Sequence, residues 1–410
     1  MRFLAAASWV FWATATLGAA ADWPQFLGPQ RDGRTEEQVT VRFGAEGPEI
    51  AWKTAVGRGL AGPSVVEGRV VLFHREGGEA VVQAWSAADG KPLWRHAAPT
   101  GYRDDFGFDD GPRSAPTLSQ EKVFAYGADG RLTCLDASTG QLLWSRDLEK
   151  ELESPKGWFG RACAPLVVGD RVVVQVGGRW QGKPAGVVAF EIDDGSVAWA
   201  GGEDEASYSS PIQWDFPAGP AVVCWTRRGV ALFDPTSGRQ LGREPFEPDI
   251  EASVSACTPI ALGPDTFFLS GCYGMGARVW RVGEAFKLEP VWARSGALDC
   301  HYGTPVPHGG HLYGFHGRQE QGQELCCVEG RSGARQWSAR LPAGSVLLAN
   351  DTLVVLTEKG ELIIAPATPS GFQPSARGQI LAATTRAFPA LSGGLLFARD
   401  GKQLVAVRCR

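Results

Sequence analysis

The stretch LDASTGQLLW, Leu135–Trp144, decides the fold because it recurs in register along a chain of 410 residues. Its glycine precedes its tryptophan by four residues, and the same spacing recurs in copies that end at Trp94, Trp199 and Trp337. A fifth copy, FDPTSGRQLG, has Gly242 at the tryptophan position, and a sixth keeps Trp292 but lacks the turn. Repeats of roughly 40 to 55 residues, each with several short apolar runs, indicate a propeller of four-stranded blades.

Each residue type in this repeat has a structural reason. Asp136 caps the turn, and Gly140 takes the positive φ that a bulged hairpin requires. The tryptophan supplies a large apolar plate between adjacent blades. We therefore expect structural roles for Asp136, Gly140 and the plates Trp52, Trp94, Trp144, Trp199, Trp292 and Trp337.

A second register marks the opposite end of each repeat. Prolines recur at positions 63, 116, 165, 211, 259, 305 and 389, and a small residue stands two positions before each one. These small residues are Ala61, Ser114, Cys163, Ser209, Cys257, Gly303 and Ala387. Innermost propeller strands converge on the axis and leave little room for side chains, so this pattern predicts the inner strands.

The blade count follows from the two ends of the chain. Seven turns leave a tryptophan strand, EIAWKTAV, near the N-terminus and inner strands without a tryptophan strand after Arg386. Joining the two completes an all-β, eight-bladed propeller of four-stranded antiparallel blades, closed by pairing of the N-terminal strand with the C-terminal blade. We predict a signal peptide over residues 1–21, an N-terminal extension over 22–47 and a single propeller domain over 48–410.

The N-terminus and the overall charge predict where the protein is found. A short positive region, an apolar run and small residues before Asp22 are typical of a cleaved secretory signal, so we expect a periplasmic or secreted protein. The run is short for a membrane span, and the first cysteine is Cys134, so we expect no span and no lipid anchor. A net charge of −5 argues against a nucleic-acid partner. We expect a monomer.

The chain resembles the PQQ-like (pyrroloquinoline quinone) β-propeller repeat family, which includes the outer-membrane assembly factor BamB and the propeller of quinoprotein alcohol dehydrogenases. The repeated DxxTGxxxW carries the resemblance, together with DWPQFLGPQRDG (22–33), FGFDDGPRSAPT (106–117) and SYSSPI (207–212). The longer strings are similar to a secreted bacterial subgroup. The resemblance implies the propeller fold, but this fold hosts unrelated functions.

Quinoprotein dehydrogenases of this family carry a calcium site and a vicinal disulfide against the cofactor, which invites comparison with Cys326 and Cys327. The repeat places Cys327 on a third strand and Cys326 on the opposite sheet face, so we expect buried core thiols. Nine cysteines leave at least one thiol free or paired between chains. PQQ with calcium is therefore an alternative, and no cofactor is firmly implied.

Two further groups of polar residues could bind metal. His301, His308, His311 and His316 lie too far apart along their strands for one ion, so we expect no metal there. The loop GYRDDFGFDDGPR offers Asp104, Asp105, Asp109 and Asp110. These carboxylates lack a calcium-loop pattern, and we expect them to pair with Arg103, Arg113 or Arg161.

The residues just before the inner strands differ from blade to blade and predict a ligand site at the mouth of the axial funnel. They are Arg113, Arg161, Tyr208, His301, Tyr302 and Arg386. Arginines and aromatic rings favour an anionic or planar ligand, unless nearby aspartates neutralise the arginines. We expect no catalytic residues and a binding or scaffold protein with an envelope or extracellular protein or polymer partner. The alternatives are a PQQ-dependent oxidoreductase and a carbohydrate or polyanion binder.

Overall fold

The computed structural model describes residues 21–39, 43–44 and 47–410. These residues form eight antiparallel sheets of four strands, one of which gains a fifth strand from the N-terminal segment. Helical structure in this described part is confined to one short α-helix, Leu148–Glu151, and the 3-10 turns Glu284–Phe286 and Gln319–Gln321. The prediction of an all-β, eight-bladed propeller is confirmed.

The blades are numbered here in chain order, and each runs from its inner to its outer strand. Blade 1 consists of Ser64–Val66, Arg69–Glu76, Glu79–Ser86 and Pro92–Pro99, and blade 2 consists of Thr117–Ser119, Lys122–Tyr126, Arg131–Asp136 and Leu142–Asp147. Blade 3 consists of Leu166–Val168, Arg171–Trp180, Lys183–Glu191 and Val197–Gly201, and blade 4 consists of Ile212–Phe216, Gly219–Trp225, Gly229–Phe233 and Gln240–Pro245. Blade 5 consists of Ile260–Ala261, Thr266–Gly271, Gly276–Val282 and Leu288–Arg294. Blade 6 consists of Val306–His308, His311–His316, Glu324–Glu329 and Arg335–Arg340, and blade 7 consists of Gly344–Ala349, Thr352–Thr357, Glu361–Pro366 and Ala376–Gln379.

Blade 8 combines the two ends of the propeller sequence. Its inner three strands are Ala390–Ser392, Leu395–Arg399 and Gln403–Arg408, and its outer strand is Ile50–Ala55. The outer strand pairs antiparallel with Gln403–Arg408, with Trp52 opposite Ala406.

The six tryptophans of the repeat join neighbouring blades, as the sequence predicts. Each indole N–H donates to a backbone carbonyl in the next blade at 2.8–3.0 Å. The pairs are Trp52 with Ala87, Trp94 with Ala137, Trp144 with Ile192, Trp199 with Pro235, Trp292 with Gly330 and Trp337 with Thr368. A packed ring with a satisfied N–H fixes the angle between blades as well as their separation.

The turn of the repeat has the predicted geometry. The Asp136 carboxylate accepts backbone N–H bonds from Ser138 at 3.0 Å and Thr139 at 2.8 Å. The hydroxyl groups of the same two residues also donate to this carboxylate at 2.7 Å, and these hydroxyl bonds, with the backbone bonds, hold the pKa of Asp136 low, at about 2. Gly140 has φ of +71°, a conformation that costs a side-chain-bearing residue energy.

The small residues before the inner strands face the blade interior. Six of the seven are buried, and Gly303 is partly exposed. The hydroxyl of Ser114 donates to the Cys163 carbonyl at 3.0 Å, and that of Ser209 donates to the Cys257 carbonyl at 2.8 Å. The inner strands of adjacent blades are thereby linked near the axis.

All nine cysteines lie among the described residues, where they are buried and form no disulfide bond. Cys326 packs in the core between blades 5 and 6, whereas Cys327 packs in the core between blades 6 and 7. The prediction that these neighbours are core thiols on opposite sheet faces is confirmed.

The first described residues cross the propeller axis. Trp23 forms an antiparallel bridge with Val65 of blade 1, and Arg34–Thr35 pairs in parallel with the inner strand of blade 7. The Glu37 carboxylate then accepts the backbone N–H groups of Gly393 and Gly394 in blade 8. This part of the predicted extension, residues 22–37, is called the axial segment below.

The predicted signal peptide lies outside the described residues except for its last residue. Within the described part of the chain, no helix has the length and apolar character needed to cross a membrane.

Candidate functional site

A cavity of about 320 Å³ lies at the end of the axis where the inner strands begin. Its walls are mainly aromatic and small side chains, with a few polar and charged groups among them. The lining residues are Phe26, Leu60, Gly62, Phe108, Arg113, Ala115, Phe159, Ala162, Ala164, Tyr208, Ser210, Val254, Ala256, Tyr273, His301, Tyr302, Gln319, Glu320, Arg386 and Phe388. The cavity is therefore built by loops of seven blades, 1 to 6 and 8, and by the axial segment.

Side-chain alternation explains which residues reach the cavity. The small residue of each repeat faces the blade core, so the residue immediately before it faces the axis. Arg113, Tyr208, Tyr302 and Arg386 occupy this preceding position, and all four line the cavity. His301 stands two positions before Gly303 and still lines the cavity, because it lies in the loop that leads to blade 6.

Arg161 does not line the cavity. It stands two positions before Cys163, one residue out of phase, and Ala162 takes the axial position instead. The Arg161 guanidinium turns toward blade 2, where it pairs with Glu149 at 3.0 Å and donates to the Ser154 carbonyl. Arg161 therefore lies outside the candidate site, and the prediction that included it is corrected.

Arg113 reaches the cavity but its charge is already neutralised. Its guanidinium pairs with Asp104 at 3.1 Å and donates to the Asp109 carbonyl at 2.9 Å. The side chain is 9% exposed, and that of Asp104 is fully buried. The expectation that aspartates of this loop pair with nearby arginines is confirmed for this residue.

The other aspartates of the loop are also engaged in its own structure. Asp105 pairs with Lys156 at 2.6 Å, and Asp110 lies 3.6 Å from Arg103. The Asp109 carboxylate accepts the Gly111 N–H at 2.6 Å. Among the described residues, no group of three or more histidine, cysteine, aspartate or glutamate side chains is arranged to hold a metal ion.

Arg386 is the second cavity arginine, and it too has an internal partner. Its Nε lies 3.1 Å from the Glu358 carboxylate, which also accepts bonds from the Tyr302 hydroxyl and, at 2.6 Å, from Gln319 Nε2. Burial raises the pKa of Glu358, and the adjacent Arg386 offsets part of that rise. The cavity wall therefore contains an ion-paired cluster, in which Arg386 Nε has no hydrogen-bond partner among the described residues.

His301 is neutral and held in one tautomer. Burial lowers the pKa of His301 to about 4. The Gln319 backbone N–H donates to Nδ1 at 3.4 Å, so Nε2 carries the proton and donates to the Tyr273 hydroxyl oxygen at 2.8 Å. The Tyr273 hydroxyl proton is then left to donate to another group.

Tyr208 offers the cavity a second phenolic donor. Its oxygen accepts the backbone N–H groups of Trp158 at 3.1 Å and Phe159 at 3.2 Å. Burial raises the pKa of Tyr208, so the phenol stays protonated near neutral pH. Because its oxygen already accepts two bonds, the remaining function of the hydroxyl is to donate.

Phe26 and Phe388 form the floor of the cavity, with their rings edge to face at 5.1 Å. Phe159 and Phe108 extend the aromatic wall, and Phe159 lies 5.7 Å from the Tyr208 ring. Sequence reasoning missed these residues. Phe388 stands one position after Ala387, so the same alternation predicts it, whereas the axial position of Phe26 has no local sequence signal.

The remaining histidines of the predicted group are separate from one another. His308 Nε2 lies 3.2 Å from Asp351, and His316 Nδ1 accepts the Asp299 N–H at 2.9 Å. The His311 ring lies 3.0 Å from the Gly309 carbonyl.

The axial segment separates this cavity from a second one of about 350 Å³. The second cavity is lined by Gln25, Pro29, Gln30 and Arg31 of the segment and by inner-strand residues of blades 3 and 4. Arg31 donates to the Ala164 carbonyl at 3.2 Å, to the Pro211 carbonyl at 2.9 Å and to the Pro165 carbonyl. The segment thus closes the axis below Phe26.

Comparison with known proteins agrees with this architecture. The family model described as outer membrane protein assembly factor BamB matches residues 78–313. A quinohemoprotein alcohol dehydrogenase of Pseudomonas putida is 32% identical over 37% of this chain and 21% of its own length. BamB of Shewanella oneidensis is 26% identical over 54% of this chain and 56% of its own length. The chain thus spans about a fifth of the dehydrogenase and just over half of this BamB.

Solved structures share the fold at low identity. BamB of Moraxella catarrhalis superposes with a TM-score of 0.64 at 12% identity, covering 88% of this chain and 97% of that one. Quinohemoprotein alcohol dehydrogenase of Comamonas testosteroni gives a TM-score of 0.65 at 14% identity, covering 95% and 80%. These structures agree in fold, and the family match over more than half of the sequence shows that the chain belongs to the BamB-like family of PQQ-repeat propellers.

Proposed function

We propose that this protein is a non-catalytic, extracytoplasmic binding protein that holds a neutral saccharide in the axial cavity. One observation carries the proposal: the cavity has an aromatic wall, and each charged side chain in that wall already lies beside a side chain of opposite charge. Arg113 pairs with Asp104, Arg386 with Glu358, and Glu320 lies 3.4 Å from Arg318. The cavity therefore offers a ligand aromatic surface and hydrogen bonds without net charge.

A sugar ring matches both properties. Its C–H faces pack on aromatic rings, while its hydroxyl groups need donors and acceptors around the edge. Tyr208 and Tyr273 have hydroxyl protons left to donate, and the cavity volume suits about one or two sugar rings. Buried polar groups that a ligand leaves unpaired would weaken binding, so this arrangement selects against a purely apolar ligand.

A polyanion fits the cavity less well than a neutral sugar. An anionic group at Arg113 or Arg386 would compete with the buried carboxylate that each arginine already pairs with. Leaving a buried carboxylate without its partner costs about 3–5 kcal/mol, which offsets most of the gain from the new ion pair.

PQQ with calcium does not fit the residues present. The vicinal cysteines that invite this comparison lie in two separate cores, away from the residues that line the cavity. The described residues offer no group of three carboxylate, histidine or cysteine side chains for an ion, and the cavity arginines are already paired.

Family membership supports a location in the cell envelope, and with it the secretory signal predicted at the N-terminus. The matching family description names an outer membrane assembly factor, so contact with an envelope protein or an extracellular polymer is consistent with the proposal. The saccharide would be part of such a polymer.

The cavity can be tested by filling it. Ala256 lines the wall and is partly exposed, so Ala256→Trp should block a ligand while leaving the blade cores intact. Ala88→Trp, in an exposed outer turn of blade 1, is the matched control. Melting temperature is measured with neutral gluco-, xylo-, manno- and N-acetylglucosamine oligosaccharides, with dextran sulfate, and with PQQ plus calcium.

We expect a neutral series to raise the melting temperature of the wild type and of Ala88→Trp but not of Ala256→Trp, because a ligand specific for the folded state stabilises it. A shift with dextran sulfate or with PQQ and calcium alone would contradict the proposal. Equal shifts in the wild type and Ala256→Trp would place binding outside the cavity.

A further inference from the structure

Three large aromatic side chains lie exposed beside the mouth of the cavity. Phe106, Phe108 and Trp158 are 47%, 61% and 42% exposed. Exposed aromatic side chains that lie together mark contact surfaces more often than isolated ones do. These three residues are called the aromatic platform below.

The platform is continuous with the cavity wall. Phe106 and Phe108 stack with ring centroids 6.2 Å apart and planes 17° apart. Phe106 also lies 4.9 Å from Phe159 and 6.5 Å from Trp158, while Phe108 and Phe159 line the cavity itself. A ligand that leaves the cavity at this side therefore passes directly over the platform rings.

The loops that carry the platform are held in place before any ligand arrives. The Asp104 carboxylate accepts the N–H groups of Phe106 at 3.1 Å and Phe108 at 2.9 Å. Tyr208 accepts the N–H group of Trp158, and Lys156 joins this second loop to Asp105 of the first. Binding on the platform thus requires little ordering of the backbone, which favours affinity.

The cavity beneath is closed at its other end. Phe26 covers the floor, and Arg31 ties the axial segment to inner-strand carbonyls of blades 3 and 4. A chain threaded along the axis would meet the axial segment, so a chain end fits this cavity better than an internal unit does.

Resting on the proposed function, we propose that the cavity receives the terminal unit of a linear neutral polysaccharide, and that the aromatic platform is an outer subsite for the units that follow. The platform carries no charged side chain, and the loop charges around it are paired, as the cavity charges are. Flat exposed rings in line with a closed cavity suit successive sugar rings of one chain end.

The outer subsite is tested by varying chain length. With the oligosaccharide series that binds the wild type, affinity should rise from one unit to about four units and then level off. Phe106→Ala and Trp158→Ala should each lower the affinity for the longer oligomers about threefold to tenfold and leave the affinity for one unit unchanged. Both residues are exposed, so melting temperature without ligand should stay constant.

End recognition is tested by stoichiometry. Polysaccharide fractions of the same sugar and increasing length are titrated with protein, and bound protein per chain is measured by light scattering. We expect the number of bound molecules per chain to stay constant as length increases. A number that grows in proportion to length would overturn end recognition.

These outcomes separate the two proposals. An affinity that does not depend on chain length, or platform variants that weaken one unit and four units equally, would overturn the outer subsite while cavity binding stands. The proposed function itself would be overturned if the wild type bound no saccharide, or if every saccharide that it bound were bound equally by Ala256→Trp.

Discussion

Gly140 lies directly against the indole ring of Trp94: a Cβ atom on this glycine would stand 2.4 Å from Cε3 of the tryptophan. The same relationship joins Gly90 to Trp52 at 2.7 Å and Gly238 to Trp199 at 2.4 Å. The glycine of one blade thus provides the space that the tryptophan of the preceding blade fills. Both members of the repeated pattern therefore act at one place, the boundary between blades.

Gly140→Ala should destabilise the protein by about 2–5 kcal/mol. Positive φ accounts for about 1–2 kcal/mol, and the overpacking against Trp94 adds about 1–3 kcal/mol. Gly169→Ala is the control, because Gly169 has φ of +56° and no atom within 4 Å of the added Cβ. Urea unfolding of the two variants separates strain from overpacking. Equal losses would show that the contact with Trp94 has no energetic role.

The fold could be predicted from the sequence because this relationship is local and repeated. Asp136, Gly140 and Trp144 lie within nine positions of one another, and five of the six copies have the same turn glycine. The axial segment could not be predicted, because Arg31 contacts blades that lie more than 80 positions away in the chain. Nothing in its neighbourhood distinguishes it from a solvated arginine.

Arg31→Met should release the axial segment. The Arg31 side chain is buried with backbone carbonyl and neutral side-chain partners in blades 2, 3 and 4, and burial lowers its pKa to about 9. Removing it leaves these carbonyls without donors, at a cost of about 2–4 kcal/mol. Limited proteolysis within residues 22–39 should accelerate. Arg34→Met, which loses a half-exposed pair with Asp32, should change stability by less than about 1 kcal/mol.

If Arg31→Met and Arg34→Met were cleaved at the same rate, the buried bonds would not be what holds the segment. Cavity binding gives a second readout, since a released segment removes the Phe26 floor. Arg31→Met should therefore weaken saccharide binding, whereas Arg34→Met should not.

The nine thiols should be unreactive in the folded protein and fully reactive once it is unfolded. A thiol reagent should titrate none within minutes under native conditions and nine in denaturant without reductant. Fewer than nine in freshly purified protein would show that disulfides form, for example between Cys326 and Cys327.

Burial of these thiols also makes stability depend on pH. Burial raises the pKa of Cys326 and Cys327 to about 11 and that of Cys134 to about 12, from an ordinary value of 9.0. Above pH 9 the unfolded chain loses thiol protons that the folded chain keeps, so stability falls as pH rises. The urea midpoint should therefore drop between pH 8 and pH 10.5. Cys134→Ala removes one such thiol and should make the decline less steep.

The candidate site was only partly predictable, and the reason is the two-residue period of a strand. Arg113 and Arg161 look equivalent in sequence, yet they stand one and two positions before their small residues. One position decides whether a side chain faces the axis or the neighbouring blade. Aligning on the small residue rather than on the arginine selects Arg113, Tyr208, Tyr302 and Arg386 and excludes Arg161.

The ion pair of Arg386 and Glu358 should act as an internal bond of the cavity wall. Arg386→Met leaves a buried carboxylate without its partner and should lower stability by about 3 kcal/mol, whereas Arg386→Met combined with Glu358→Gln should recover at least about 1 kcal/mol of that loss. Without Arg386 the pKa of Glu358 rises further. The unfolded chain then releases a proton above pH 4.5 that the folded chain retains, so the loss in Arg386→Met should grow as pH rises from 5 to 8.

The double variant also separates the two kinds of ligand. If the arginine is used internally, Arg386→Met with Glu358→Gln should bind the neutral oligosaccharide within about threefold of the wild type, because Tyr302 and Gln319 keep a side chain to bond at position 358. The affinity should also stay constant between about 50 and 500 mM salt, because screening has little effect on the binding of an uncharged ligand. A large loss in the double variant together with a steep salt dependence would instead assign Arg386 to direct recognition of an anion.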